Sequence, residues 1–514
     1  MTAMSNIIRA ELTQYTPLLH FQGQQDGACL RASEVKPALD RFIRAWLEKQ
    51  GVNIVKDAWI YTSDDNDNKN KRHIAFRYRM TFRAKGDMPN GYTCNKGRYS
   101  LRDGKPNVKP DRENTHIHPL FFAAMGVDGF DVRPDTRVGE EVESRIKGVF
   151  YNDGMSMTIL VPGAETVCID DKNKSLADVM KELLPPFFAL HCFGNRSNKG
   201  FGSFGVKSIN GTDVEPLTPN ALKSYAPLGT VYYAAYSQNQ FSNDNPINRH
   251  KKYLDDVFML SSLIKGGLNY THGNPNDKRY YKGMIIQYFL EKDIKSEKAA
   301  IKSFVLNRGN KEEDDFVRDH FHESFPTTID ECRFVRGIIG LPQQYEYKQD
   351  GSFRDGTFVL RNPHSKRKGT VLVQNKVDRC EHNRIIESTN STPDIIRFEN
   401  PIHFKPYGQY LLLIPQIIPK TMLENKFYLI KKTNHLQKNP RTGRIIVDDR
   451  TVYTAIQIPS DFNLIVFLDY CKKKYSDDYS SNKANFNERG PAQTIYNALE
   501  RITSIQKSGG DDNG

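Results

Sequence analysis

Residues 6–15 (NIIRAELTQY) alternate apolar and polar positions, the spacing of a half-buried strand, and Thr16-Pro17-Leu18 ends it. From Ser33 the period changes. Val35, Leu39, Phe42, Ile43, Trp46 and Leu47 fall on one face at helical spacing, which predicts a helix to about Gln50 with Ser33 as its N-cap. A strand is expected at 54–61, then a polar run, then a second strand over 73–83 (HIAFRYRMTFR), with Arg77, Arg79 and Arg83 on one face and Phe76, Tyr78, Met80 and Phe82 on the other. Residues 84–115 show little periodicity and read as an extended or partly mobile insertion rich in basic groups. The segment 137–161 ends in a strand (SMTILVP), and 175–193 (SLADVMKELLPPFFALHCF) reads as a helix broken at its two prolines. Phe204 to Ile209 returns to strand spacing.

This order, β–α–β…α–β, suits a ferredoxin-like α+β sheet closing a first domain over 1–210. The prolines of 211–228 read as a linker. A second domain is expected over 229–460, opening with the strand GTVYYAAYS and a helix at 253–264. Lys282 to Phe289 reads as a strand, and the charged stretch 310–323 as a helix. The segments TFVLRN, GTVLVQN, PIHFKPY and YLLLIP read as strands of a second sheet. Residues 461–514 supply helices at 462–473 and 491–505 and a Gly/Asp tail expected to be disordered.

Charge narrows the class of partner. Lys+Arg 73 against Asp+Glu 61 gives +12 and an isoelectric point near 9.1, which points to an anionic partner. Mean hydropathy is −0.62, and no apolar run reaches the ~18 residues that a spanning helix needs. The first residues carry no apolar stretch with a cleavage site, so no secretory signal is expected. Seven scattered cysteines without a CxxC pair read as reduced thiols of a cytoplasmic chain.

The densest chemistry lies in Gly194-Asn195-Arg196-Ser197-Asn198-Lys199-Gly200-Phe201-Gly202-Ser203-Phe204-Gly205. Glycines let backbone approach a ligand, and cations with flat rings suit a phosphodiester chain with stackable bases. Gly200-x-Gly202-x-x-Gly205 formally matches a dinucleotide fingerprint, but here a helix precedes the loop and a strand follows it, the reverse of that motif. The Gly-Lys-Ser/Thr of a P-loop is also missing, as are the companion motifs of a kinase. A ligand-free turn is the plain alternative.

Further candidate phosphate contacts are Arg31 and Lys36 at the helix entrance, Arg41 and Arg44 on its polar face, Arg77 and Arg79 on the basic strand face, and the short run Lys366-Arg367-Lys368. The acidic run from Asp64 fails as a calcium loop because Lys69 stands where a glycine is required. His116-x-His118 and His320-x-His322 lack a third ligand nearby, so neither a metal site nor any other cofactor is expected.

Several stretches carry a resemblance. Thr16-Pro17-Leu18, Leu30-Arg31-Ala32-Ser33-Glu34-Val35-Lys36 and the glycine loop resemble the RAMP superfamily of CRISPR effector proteins. The Arg-Ser-x-x-Gly-Phe-Gly-Ser form of the loop, with Ile339-Gly-Leu-Pro-Gln343 and Arg397-Phe-Glu-Asn-Pro401-Ile-His403-Phe-Lys405, is most similar to subunit one of the type III-B (Cmr) complex. The resemblance implies two ferredoxin-like domains of the RNA-recognition type, carrying insertions and extra C-terminal helices here. It implies a non-catalytic subunit that holds the 3′ region of a guide RNA, helps target RNA pair, and contacts other effector subunits at the filament end opposite the large polymerase-like one. Within that frame the loop amides with Arg196 and Lys199 are expected to hold phosphates, and Phe201 to stack on a base. A guide-processing endoribonuclease of the same superfamily and a nucleotide-binding enzyme are the competing readings.

Overall fold

Alternation along the first strand sets the first sheet. In the computed structural model, which describes residues 6–19, 30–52, 59–61, 75–86, 90–93, 96–102, 105–110, 130–143, 147–151, 153–163, 165–237, 246–271, 278–297, 332–340, 344–348, 368–374, 376–387, 398–423, 426–431, 436–448, 451, 453–482 and 505–508, strand β1 spans Asn6–Gln14. Its Ile8, Ala10 and Leu12 are buried while Arg9 is exposed.

Helix α1 (Ala32–Lys49) follows, then β2 (Arg79–Ala84), β3 (Met155–Val161), helix α2 (Leu176–Leu190) and β4 (Phe204–Ile209). The sheet order is β4-β1-β3-β2, every neighbouring pair antiparallel, with Thr212–Asp213 added outside β4. Both helices pack on one face of the sheet. Val35, Leu39 and Ile43 of α1 and Val179, Leu183 and Phe187 of α2 join Ile8, Met157 and Ile159 in one apolar core. Burying large side chains of this kind contributes about 1.5–3 kcal/mol each.

Local chemistry accounts for the helix ends. Ser175 caps α2, accepting a hydrogen bond from the Asp178 amide while Asp178 answers the Ser175 amide, a capping box. The expected break at Pro185 and Pro186 does not occur. The two missing N–H groups would have bonded the carbonyls of Lys181 and Glu182, and both residues are exposed, so water can serve those carbonyls instead. The N-cap of α1 is Arg31 rather than Ser33, and no side chain caps it. The strand expected over 73–83 is two pieces, Ala75–Phe76 and Arg79–Ala84, though its alternation holds: Phe76, Tyr78 and Met80 are buried and Arg79 and Arg83 exposed.

The insertion expected to be extended or partly mobile forms paired strands where it is described. Lys96–Arg102 forms a hairpin with Lys105–Pro110 and takes Glu141–Glu143 on its other edge, and Asn90–Thr93 pairs with Lys147–Phe150. Period-two spacing is present there, but Gly97, Tyr99 and Leu101 are its few non-basic positions on one face, too sparse to stand out. The proline-rich 211–228 is also seated. Thr218 caps a turn of helix at Pro219–Leu222, and Leu222 and Ala226 are fully buried.

The first compact unit comprises 1–260, 402–416 and 497–514, so it runs past residue 210 and takes back a distant hairpin. Strands β5 (Tyr232–Ala235), β6 (Ile402–Tyr407) and β7 (Tyr410–Pro415) form an antiparallel sheet in the order β6-β7-β5, extended by Gln506–Lys507. The expectation that PIHFKPY and GTVLVQN share a sheet is therefore corrected.

The second unit comprises 261–401 and 417–496. There Gln344–Lys348, Lys368–Gln374, Lys426–Lys431 and Tyr453–Gln457 build one antiparallel sheet. Met284–Leu290 is a helix where 282–289 reads as a strand. Its Met284, Ile285, Ile286, Tyr288 and Phe289 are all buried, and a short, largely apolar run has no clear period to distinguish the two states. A helix at Leu464–Asn482 extends beyond the expected 462–473. The stretches 310–323 and TFVLRN, the 491–504 part of the last expected helix, and the tail from 509 lie outside the described residues. Among the described residues no helix is long and apolar enough to cross a membrane.

Candidate nucleic-acid interface

The glycine loop joins the end of α2 to the start of β4 and folds back on itself. Cys192 and Ser203 face each other as an antiparallel bridge, and the Phe193 amide donates to the Gly202 carbonyl at 2.9 Å. Left-handed backbone recurs along it, at Gly194 (φ 81°), Arg196 (φ 59°), Gly200 (φ 81°) and Gly202 (φ 66°). At Gly202 glycine is obligatory, because a Cβ would lie 1.9 Å from the Phe193 carbonyl oxygen.

Most loop amides are occupied within the fold. Asn195 donates to Leu19 O at 2.7 Å, Lys199 to Arg196 O at 2.8 Å, Gly200 to Ser197 O at 3.2 Å, Gly202 to Pro17 O at 2.7 Å and Ser203 to Thr16 Oγ1 at 3.0 Å. Gly194 donates to the Glu34 carboxylate in the first turn of α1. The expectation that loop amides cradle phosphate is corrected for these positions. Thr16, fully buried, also donates through Oγ1 to Gly200 O at 2.5 Å. It therefore ties the C-terminal half of the loop to the segment that follows β1.

Phe201 is fully buried, so its ring fills the core and is closed to a stacking base. Arg196, Ser197, Asn198 and Lys199 form the half-buried tip. That tip presents one guanidinium, one ammonium, a hydroxyl and a carboxamide, a set suited to phosphate and ribose contacts.

Beneath the loop runs β6. The Phe404 amide donates to Asn198 O at 3.1 Å, and Ser203 Oγ donates to the Pro406 carbonyl. Lys405, 1% exposed, donates from Nζ to His191 O and Phe204 O, each at 2.8 Å. Burial lowers the Lys405 pKa from its ordinary 10.5 to about 8. Burial likewise lowers His191 and His403 to about 4, so both are neutral near pH 7, and it raises the Cys192 thiol. His191 Nδ1 lies 2.9 Å from Phe187 O and so carries the proton.

The other candidates scatter. Arg31 is exposed at the entrance of α1, which Glu34 joins to the loop. Lys36 serves the fold: its Nζ donates to Asp40 Oδ2 at 3.1 Å and Phe76 O at 2.8 Å and stands 3.6 Å from the Tyr78 ring centre, and burial lowers its pKa. Arg41 and Arg44 are exposed on α1, Arg44 pairing with Glu48 at 2.8 Å. Arg79 lies on the sheet face away from the helices, with Arg9 and Arg83, and Arg77 is half-buried in the bend before it. In the second unit Lys368 opens a strand opposite Lys348, while Lys366 and Arg367 lie outside the described residues. The two histidine pairs also lie outside them, and among the described residues no three metal-ligating side chains converge.

Reading the sequence missed Glu34, Thr16 and Lys405 as parts of the loop. Lys405 carried a signal, a lone lysine inside the apolar strand PIHFKPY, where an ordinary buried position excludes it.

No curated protein matches the chain. A chain in the cryo-EM structure of the type III-B Cmr-beta bound to cognate target RNA and AMPPnP, state 2, in the presence of ssDNA is similar at 12% identity and a TM-score of 0.32, covering 80% of this chain and 94% of that one. The Cmr1 N-terminal domain matches residues 5–268 and the Cmr1 C-terminal domain matches residues 280–495. The two matches together span nearly the whole length, and the chain belongs to the Cmr1 family.

Proposed function

We propose that this chain is a non-catalytic RNA-binding subunit of a type III-B effector ribonucleoprotein, gripping the 3′ region of a guide RNA through the tip of the glycine loop and helping target RNA pair. The observation that carries this reading is the division within the loop. Its base is closed by hydrogen bonds to the 16–19 segment, α1 and β6, while Arg196 and Lys199 stand half-exposed at the tip. Contacts of this kind follow the phosphate chain and not the bases, so any guide sequence is accommodated and base pairing reads the target. The exposed Arg31 at the α1 entrance extends the same basic surface.

The order β4-β1-β3-β2 with two helices on one face supports a ferredoxin-like reading of the first domain, and we extend that reading to the second. Other subunits of the effector are its partners. The occupied amides weigh against a nucleotide-binding enzyme, since a nucleotide loop needs free N–H groups to cradle its phosphates.

Salt-dependent binding of a labelled guide by the full chain tests the proposal. Alanine at Arg196 and Lys199 together is expected to weaken binding and to reduce the slope of log K against log salt by about 2, roughly one per lost phosphate contact. An unchanged slope and affinity contradict it.

A further inference from the structure

Resting on the RNA-holding reading of the loop, we propose that Lys405 is its positioning residue: one buried ammonium, delivered by β6, ties the carbonyl that ends α2 to the carbonyl that begins β4 and sets the spacing of the loop's two feet. The geometry is direct. Nζ lies 2.8 Å from His191 O, just before the glycine loop, and 2.8 Å from Phe204 O, near its end, and comes from a strand about 200 residues further along the chain.

Lysine is rarely buried this deeply without a carboxylate partner, and here Nζ donates to two backbone carbonyls. Burying the charge opposes stability, which an apolar side chain of equal length would avoid. What the ammonium supplies is position. The last turn of α2 holds no basic residue of its own, and Lys405 brings the cation that the negative end of the helix favours. Its neighbours secure the same strand to the loop. The Phe404 amide donates to Asn198 O, Ser203 Oγ donates to Pro406 O, and a Cβ on Gly200 would touch Pro406 Cδ at 3.0 Å. Lys199 sits between these points and Arg196 two residues before the first, so their placement depends on how β6 holds the base.

The test uses the full-length chain, a fluorescently labelled oligouridylate, and hydrogen exchange at the amides of Asn195, Lys199, Gly200 and Gly202. Lys405→Met is expected to release RNA about tenfold faster than the parent and to lose protection at those amides. Lys405→Gln, which keeps N–H donors with shorter reach, is expected to fall between the two, and it carries the test should Lys405→Met not fold. Ile159→Ala, a core truncation in β3 away from the loop, serves as a stability control and is expected to leave release unchanged. Parental release or parental protection in both Lys405 variants overturns the proposal, as does equal acceleration by Ile159→Ala. Equal release by the parent and the Arg196→Ala/Lys199→Ala variant overturns the RNA-holding reading itself, and the proposal with it.

Discussion

At the base of the glycine loop, Phe193, Phe201, Gly202 and Ser203 are buried, and the amides of Gly194, Asn195, Lys199, Gly200, Gly202 and Ser203 bond to α1, to the 16–19 segment that follows β1, or within the loop itself. At the tip, which begins two residues after Gly194, Arg196 to Lys199 are half-exposed. The same glycine-rich composition therefore does two jobs. Glycines at the base make a tight fold possible, and the polar residues between them form the half-exposed tip. A glycine-rich loop is thus not in itself a backbone cradle for phosphate; whether its amides are available depends on what packs beneath it.

If this division is right, substitutions at the base and at the tip separate cleanly, and the largest effect falls on the base. Gly202→Ala places a Cβ 1.9 Å from Phe193 O at a left-handed position, and is expected to destabilise the chain by about 3–5 kcal/mol in urea unfolding. Next in size is the pH dependence of Lys405. An unfolded lysine keeps its proton to about 10.5 and this buried one only to about 8, so between those values the unfolded chain binds more protons and stability rises with pH; below pH 8 the penalty is constant. Across that window the parent is expected to gain on the order of 3 kcal/mol relative to Lys405→Met, measured by unfolding at a series of pH values. Thr16→Val removes the hydroxyl shared by Gly200 O and the Ser203 amide, leaving two buried backbone groups unpaired, and is expected to cost about 2 kcal/mol. Smallest for stability is Arg44→Ala on the exposed face of α1, expected within about 0.5 kcal/mol of the parent by thermal unfolding because an exposed ion pair contributes little.

The same contrast explains what could be read from the sequence. Both helices of the first sheet, the strand Phe204–Ile209 and the hairpin strands β6 and β7 were legible, since their apolar positions recur with a clear period or form short runs bounded by turn residues. The tip was legible because its charges are local. The base was not, since its partners come from Thr16, Glu34 and Lys405, far apart in the chain, and nothing local in the loop announces that its amides are occupied or that Phe201 faces inward. Lys36 misled for a similar reason: its position at a helix entrance suits phosphate, but Asp40, Tyr78 and the Phe76 carbonyl claim it in the folded chain. Met284–Leu290 failed as a strand because five of its seven residues are buried apolar ones, which leaves no clear period to separate helix from strand.

The most direct measurement compares guide retention by the assembled effector particle carrying this chain with and without alanine at Arg196 and Lys199, alongside thermal unfolding of the isolated chain. The account predicts unfolding within about 0.5 kcal/mol of the parent, as for surface substitutions, together with a clear loss of guide as salt is raised. Full retention at every salt concentration, with the fold intact, contradicts it.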